Sequence, residues 1–195
     1  LITGVAGFIG SAVAKKFVKE GFNVIGVDDL SGGHKKNIPN QIKFIKHDLS
    51  KKGLEKKIDK DIIYILHLAG QSSGEISFED PITDLKKNTI STLNLIKLSK
   101  NLKLKKFLSS SSMSVYGDQF KQPVKENCTL KPKSCYGIGK LSSEKYLDLF
   151  KKTTPYINMR MFNVYGPGQD MNNLKQGMVS IYLSQALTNK KIIVK

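Results

Sequence analysis

The sequence predicts an α/β fold, a doubly wound parallel sheet, on three observations. Strand-length apolar runs alternate with segments of helical period. The first of these runs breaks at a glycine turn, Thr3-Gly4-Val5-Ala6-Gly7-Phe8-Ile9-Gly10, and the second ends on Asp28-Asp29. Strand–helix–strand order of this kind makes a parallel sheet with crossover helices. Glycines three apart, leaving a strand and entering a helix, let backbone approach a phosphate without interference from Cβ atoms. The helix N-terminus then offers free N–H groups and the positive end of its dipole. A carboxylate roughly 20 residues further on stands where a dinucleotide fold needs an acceptor for ribose hydroxyls.

Each element follows in turn. Leu1 and Ile2 end a strand whose beginning is missing, since a central strand wants about five residues. Phe8, Ile9, Val13, Phe17 and Val18 mark the inner face of the first helix, and 22–27 form the second strand. After a loop at 30–34, residues 42–46 alternate as a third strand that ends at His47-Asp48-Leu49. Ile58 is expected on a short Lys-rich helix. Residues 62–68 make a fully buried fourth strand opening into Leu68-Ala69-Gly70. One long helix is expected from about 80 to 102, with Leu85, Leu93, Ile96 and Leu98 inward. The fifth strand, 106–109, leads into Ser110-Ser111-Ser112-Met113-Ser114-Val115-Tyr116-Gly117 and a polar loop at 118–133. A helix carrying Tyr136 and Lys140 follows, with Leu141, Leu147 and Phe150 inward, then a sixth strand at 157–163. The remainder reads as a Gly/Asn-rich loop, a helix near 177–188 and a clipped strand at 191–195. The expected domains are a dinucleotide-binding domain over 1–163 and the incomplete beginning of a smaller substrate domain over 164–195, so the chain reads as truncated at both ends.

The totals narrow the class. Of 195 residues 39% are hydrophobic, and no apolar run approaches the length of a membrane span, so a soluble chain is expected. The net charge of +16 raises nucleic acid as a partner. Yet the basic residues are almost all lysines scattered over the chain, and Arg160 is the only arginine. Readers of nucleic acid favour arginine for bidentate contacts, so the lysines are read as solvated surface and no specific nucleic acid is expected. Cys128 and Cys135 lack metal-ligand company and are too few for a disulfide framework. No metal site is expected, and the reducing cytoplasm is the simplest compartment. The first ten residues lack a basic start and a cleavage site, so no signal peptide is read there.

The chemistry concentrates late in the chain. Tyr136-Gly137-Ile138-Gly139-Lys140 sets a phenol and an ammonium one helical turn apart on one face. A phenol is a poor base near neutrality, its ordinary pKa being about 10. A nearby ammonium and the positive ring of an oxidised nicotinamide favour the phenolate. Ser112, at the mouth of the fifth strand, is placed to hydrogen-bond the same substrate hydroxyl.

Taken together, Thr-Gly-x-x-Gly-x-x-Gly, Ser112 before Val-Tyr-Gly, and Tyr136-x-x-x-Lys140 resemble the extended short-chain dehydrogenase/reductase family. The closest resemblance is to its NAD-dependent nucleotide-sugar epimerase/dehydratase group, of the UDP-glucose 4-epimerase kind, and it covers essentially the whole chain. The resemblance implies a Rossmann-type domain in which Gly4, Gly7 and Gly10 hold the pyrophosphate, with backbone groups from Phe8 and Ile9. By the same resemblance Asp28 is the ribose-binding acid, and its charge opposes a 2′-phosphate, which favours NAD over NADP. Asp48 and Leu49 match the position beside the adenine, Leu68, Ala69 and Gly70 the strand end along the cofactor, and Asn88 a structural or water-holding asparagine. Tyr136 would be the catalytic base, Lys140 would bind the nicotinamide ribose and tune it, and Ser112 would assist. Asn163 resembles the contact to the substrate's nucleotide diphosphate.

Two departures stand out: Ala69-Gly70 where the family usually has Ala-Ala, and Gly139 where it often has Ser, removing a hydroxyl expected near the cofactor. Sugar-nucleotide 4,6-dehydratases resemble this family but carry Thr-Asp-Glu at the place of Ser112-Met113-Ser114, and decarboxylating relatives carry Glu at the place of Ser114. The activity expected is therefore C4 epimerisation of a nucleotide-diphosphate sugar, a UDP-sugar by preference, through a transient 4-keto intermediate. The alternatives are another sugar-nucleotide reductase or dehydratase of the family, or a non-catalytic NAD- or RNA-binding relative. The resemblance also implies a homodimer pairing the helix near 80–102 with the one carrying Tyr136.

Overall fold

The computed structural model describes residues 1–173, 177–189 and 192. Six strands, β1 (Ile2–Thr3), β2 (Ile25–Asp28), β3 (Lys43–Lys46), β4 (Tyr64–His67), β5 (Lys106–Ser112) and β6 (Tyr156–Met161), form one sheet in the order β3-β2-β1-β4-β5-β6. Every pairing is parallel. This is the doubly wound order, with its direction reversing at the β1/β4 boundary, where such sheets bind ligands beyond their carboxyl ends. The clipped strand expected at 191–195 lies outside the described residues.

Side chains alternate across the sheet. Ile65 and Phe107 join Leu95, Ile96 and Leu147 in a core on one face, while Ile2 and Leu66 join Val5, Ala14 and Ile42 on the other. The first helix, α1 (Phe8–Lys19), covers the second core. Its five expected inward residues are half-buried, and the closest contact falls on Gly10, Ser11 and Ala14.

The helix expected over 80–102 is present as an unbroken helical run from Pro81 to Ser99, widened by one π-turn. Asp80 caps α3 (Pro81–Leu85) by accepting from Thr83 N–H at 2.9 Å, with Pro81 in the first turn. A π-turn at Lys86–Ile90 follows, then α4 (Ser91–Ser99). Ser91 Oγ donates to Lys87 O at 2.5 Å and Thr92 Oγ1 to Asn88 O at 2.7 Å, so hydroxyls serve carbonyls around the widened turn. Leu85, expected inward, closes α3 on its outer side and is 45% exposed. Ahead of it a short helix, α2 (Gly74–Glu79), begins at Ser73, whose side chain accepts from Ile76 N–H. Ile58 lies beyond a 3₁₀ turn at Leu54–Lys56 and on no helix.

Several strand ends move. Phe22 is 44% exposed and precedes β2, Ile63 precedes β4, and β6 stops at Met161. More consequential is β5, which runs through the serines to Ser112, pairing Ser110, Ser111 and Ser112 with Met159, Arg160 and Met161. Serine has little strand preference by itself. Here Ser110 Oγ donates to His67 O at 2.9 Å and Ser111 Oγ donates to Glu144, so the buried hydroxyls are satisfied. The helix α5 (Cys135–Leu149) begins at Ser134, whose Oγ accepts from Gly137 N–H at 3.0 Å, and α6 (Met178–Asn189) is the last described helix.

Candidate active site

The glycine turn joins β1 to α1 and is built by close backbone contact. Gly4 has φ of +72°, and a Cβ on it would stand 2.7 Å from Ala69 N. A Cβ on Gly10 would stand 1.9 Å from Gly4 O. These two glycines therefore let α1 and the end of β4 close on the turn. Gly7 plays a different part. It caps α1 without a side chain, which leaves the first-turn N–H groups around Phe8 and Ile9 for an anionic ligand.

Asp28 ends β2 beside this turn. Its Oδ2 accepts Ala6 N–H at 3.0 Å and its Oδ1 accepts Leu30 N–H at 2.8 Å. The carboxylate fastens the turn and keeps lone pairs for ribose hydroxyls. Asp48 lies half-buried nearby, its Oδ1 accepting Ser50 N–H at 3.0 Å and Ser50 Oγ–H at 2.8 Å. Leu49 is a core residue whose carbonyl accepts from Asn94 Nδ2 at 2.8 Å, so its side chain packs inward and not toward an adenine. Lys87 is an exception to the lysines expected as solvated surface: it is part-buried, reaches from the π-turn to bind Asp29 and lies 3.6 Å from Asp48, because two carboxylates converge on it. Burial works against both carboxylates. Hydrogen bonds from Lys87 and Ser31 hold Asp29 below its ordinary value all the same, and those from Ser50 do so for Asp48.

Leu68 and Ala69 follow β4, and both their N–H groups donate to Thr3 Oγ1 at 3.2 Å. That hydroxyl meets His67 Nδ1 at 2.8 Å, and His67 Nε2 meets Thr92 Oγ1 at 3.1 Å. Since Thr92 donates onward to Asn88 O, the consistent assignment has Thr3 donating to Nδ1 and Nε2–H donating to Thr92. Burial, reinforced by the Lys140 charge, pushes His67 down to about 3, so the ring is neutral. No motif marked this network; the signal available was a lone histidine in an apolar strand.

Ser112, Tyr136 and Lys140 come together. Ser112 ends β5, Tyr136 opens α5, and all three side chains are buried. Lys140 Nζ donates to Ser110 O at 2.9 Å and stands 5.7 Å from the Tyr136 ring centroid. Ser112 Oγ donates to Ser114 Oγ at 3.1 Å and accepts Ser114 N–H at 3.2 Å. Burial raises the Tyr136 phenol above its ordinary value, a hydrogen bond with Ser112 opposes this, and the Asp84 charge adds to it. Burial also lowers Lys140 to about 8, against the pull of Asp84. The protein's own groups thus hold the phenol protonated, and Lys140 does not offset the burial by itself.

Gly70 is exposed above this group. A Cβ there would stand 2.6 Å from Asn88 Oδ1 and 3.2 Å from Lys140 Nζ. Asn88 Oδ1 is buried with no hydrogen-bond partner among the described residues, while its Nδ2 donates to Asp84 Oδ1 at 3.0 Å. Asn163 is exposed two residues beyond Met161, the partner of Ser112 in the β5–β6 ladder, and so lies at the same end of the sheet. Gly139 corrects an expectation. It is buried, and its Cβ direction meets Asp84, Asn88 and Thr89, so a serine there would face α3 and the π-turn and not the cofactor.

A sheet of this order, with a glycine turn and a Ser/Tyr/Lys group at its carboxyl end, defines a dinucleotide-binding protein of the short-chain dehydrogenase/reductase class. The comparisons narrow this: residues 1–195 match the NAD dependent epimerase/dehydratase family, and the chain belongs to that family. The cofactor of the family is NAD, as Asp28 led us to expect. A putative UDP-glucose 4-epimerase of Methanocaldococcus jannaschii is 34% identical over 198 residues, covering 100% of this chain and 65% of its own length. The solved UDP-glucose 4-epimerase of Thermotoga maritima with UDP-glucose superimposes with a TM-score of 0.88 at 36% identity, covering 95% of this chain and 62% of that one. UDP-glucuronic acid decarboxylase 1 of Xenopus tropicalis is 32% identical over 201 residues, covering 100% of this chain and 47% of its own. The chain therefore spans less than two thirds of these relatives.

Proposed function

We propose that the chain carries the NAD-binding and proton-transfer half of a nucleotide-sugar 4-epimerase, with a UDP-sugar as substrate. The observation that carries this reading is the grouping of Ser112, Tyr136 and Lys140 together with the absence of a carboxylate at positions 113 and 114, which are Met and Ser. A decarboxylase or dehydratase needs a further acid or base, and position 114 holds a serine hydroxyl hydrogen-bonded to Ser112 instead.

NAD, when bound, supplies a hydride acceptor and the positive charge of its oxidised ring. Tyr136 takes the proton of the C4 hydroxyl as hydride leaves C4, and returns a proton when hydride comes back to the other face of the 4-keto sugar. Ser112 hydrogen-bonds the same oxygen, and Lys140 supplies a buried ammonium close to the phenol. The turn at Gly4–Gly10 and Asp28 hold the pyrophosphate and the adenosine ribose, and Asn163 the substrate's diphosphate.

The homodimer belongs to this proposal as well. Ile82 and Leu85 on α3 and Ile138 and Leu149 on α5 leave apolar side chains exposed on the two helices expected to pair. Tyr136→Phe in the NAD-loaded protein is the test of function. Turnover of UDP-glucose to UDP-galactose is expected to vanish while NAD stays bound, and wild-type turnover by that variant would overturn the assignment.

A further inference from the structure

We propose that Asp84 is a positioning residue for the reaction, a buried carboxylate that sets the charge balance of the Tyr136–Lys140 pair. This rests on the reading of Tyr136 and Lys140 as the proton-transfer pair. Nothing in the motifs points to Asp84, which the sequence places one helical turn before Asn88. In the structure it is 1% exposed. Its Oδ1 accepts from Gln71 Nε2 at 3.0 Å and from Asn88 Nδ2 at 3.0 Å, which fixes the carboxylate plane. Its Oδ2 faces α5 between the two reacting residues: a Cβ on Gly139 would stand 3.3 Å away. The absence of a side chain at 139 is what allows this approach.

A carboxylate this deep ordinarily closes on a cation. Among the described residues, the ion pairs leave Asp84 out. The titratable groups that face it are Tyr136 and Lys140 from α5, and Lys140 in turn acts on His67 of β4. Glu75 and Glu79 of α2 are exposed, and the loop before α2 contributes the neutral Gln71. Asp84 therefore acts on the pair through a short stretch of protein interior. Its negative charge supports the ammonium of Lys140 and resists ionisation of Tyr136. In return Lys140 opposes the burial that raises Asp84. The arrangement keeps Lys140 charged at neutral pH although its amine is wholly enclosed.

The test is Asp84→Asn, which keeps shape and removes charge, with Asp84→Ser as a second variant, in the NAD-bound protein. Two readouts are taken. The phenolate absorbance of Tyr136, isolated by subtracting the same titration of a Tyr136→Phe counterpart, is expected to rise at lower pH, by on the order of one unit. In turnover of a UDP-hexose, both limbs of the pH–rate profile are expected to move to lower pH together. Reduced turnover with both limbs and the phenolate titration unmoved makes Asp84 merely structural and overturns the proposal. A shift to higher pH overturns it as well, as does failure of both variants to fold, because a group that only tunes charge tolerates its isosteric amide. If UDP-hexose turnover is absent from every form but the phenolate titration moves as stated, the proposal stands and the epimerase reading falls.

Discussion

Arg160, the only arginine of the chain, grips Glu144 side-on: Nε donates to Oε1 at 2.9 Å and Nη2 to Oε2 at 2.7 Å. The same guanidinium donates to Tyr116 OH at 3.1 Å and to Glu126 O at 2.8 Å, while Ser111 Oγ donates to Glu144. One charge pair thus joins β6, β5, α5 and the loop after Tyr116. Glu144 lies one turn beyond Lys140, and Ser111 immediately precedes Ser112. The pair therefore fixes the helix with the phenol against the strand with the serine.

Breaking this pair is expected to cost more than deleting it. Glu144→Gln leaves a guanidinium, 19% exposed, without its partner charge, and a loss of about 3 kcal/mol is expected in urea unfolding. The double variant Glu144→Met/Arg160→Met removes both charges and is expected to recover most of that loss. A double variant less stable than the single would show that the pair itself stabilises the fold.

Two glycines of one motif are expected to fail differently. Gly10→Ala forces a Cβ to 1.9 Å from Gly4 O, so the turn and α1 cannot close and folded protein is lost. Gly7→Ala meets Gly4 O only at 3.2 Å, with φ of −78°. It is expected to cost about 1 kcal/mol in cap quality and to weaken NAD binding about tenfold by crowding the phosphate. Thermal melts separate the first effect, and NAD titration the second.

Local pattern carried the architecture because each strand is an apolar run and each cofactor motif is contiguous. Gly4 to Gly10, Asp28, Ser112 and Tyr136–Lys140 stand out in the sequence because the phosphate, ribose and proton chemistry proposed for them each needs a residue type at a fixed spacing. What escaped was set by contacts far apart in sequence. The π-turn is stabilised by Ser91 and Thr92 hydroxyls that look like ordinary helix residues. Ser110 to Ser112 extend β5 only because His67, Glu144 and β6 satisfy them. Asp84 and Lys87 became visible once two helices and two strand ends had converged. Gly139 misled because spacing along a helix does not tell which neighbour its inner face meets.

The exposed apolar side chains on α3 and α5 give a prediction about assembly. Ile82 is 60% exposed and Ile138 54%. Ile82→Glu combined with Ile138→Glu is expected to convert a dimer to a monomer in sedimentation equilibrium without lowering the monomer's NAD content. An unchanged mass would move the interface elsewhere.

His67 makes a pH-dependent prediction whose sign follows from burial. Its folded pKa is lowered from 6.5 to about 3, so between those values the unfolded chain binds a proton that the native ring refuses. Stability from this group is fully present above pH 6.5 and is lost as pH falls toward 3, with a slope of about 1.4 kcal/mol per pH unit. His67→Gln removes the titrating group and keeps an amide able to donate to Thr92. The stability difference between wild type and this variant is expected to be flat above pH 6.5 and to turn against the wild type below it. Urea midpoints from pH 7.5 to 4.5 measure this directly, and a pH-independent difference would mean that the ring takes up its proton in place. The local consequence follows from the same atoms. A protonated Nδ1 can no longer accept from Thr3, whose hydroxyl also receives the Leu68 and Ala69 N–H groups. Acid should therefore loosen the strand end beside the glycine turn before the whole sheet opens, and NAD should be released at a higher pH than that of global unfolding.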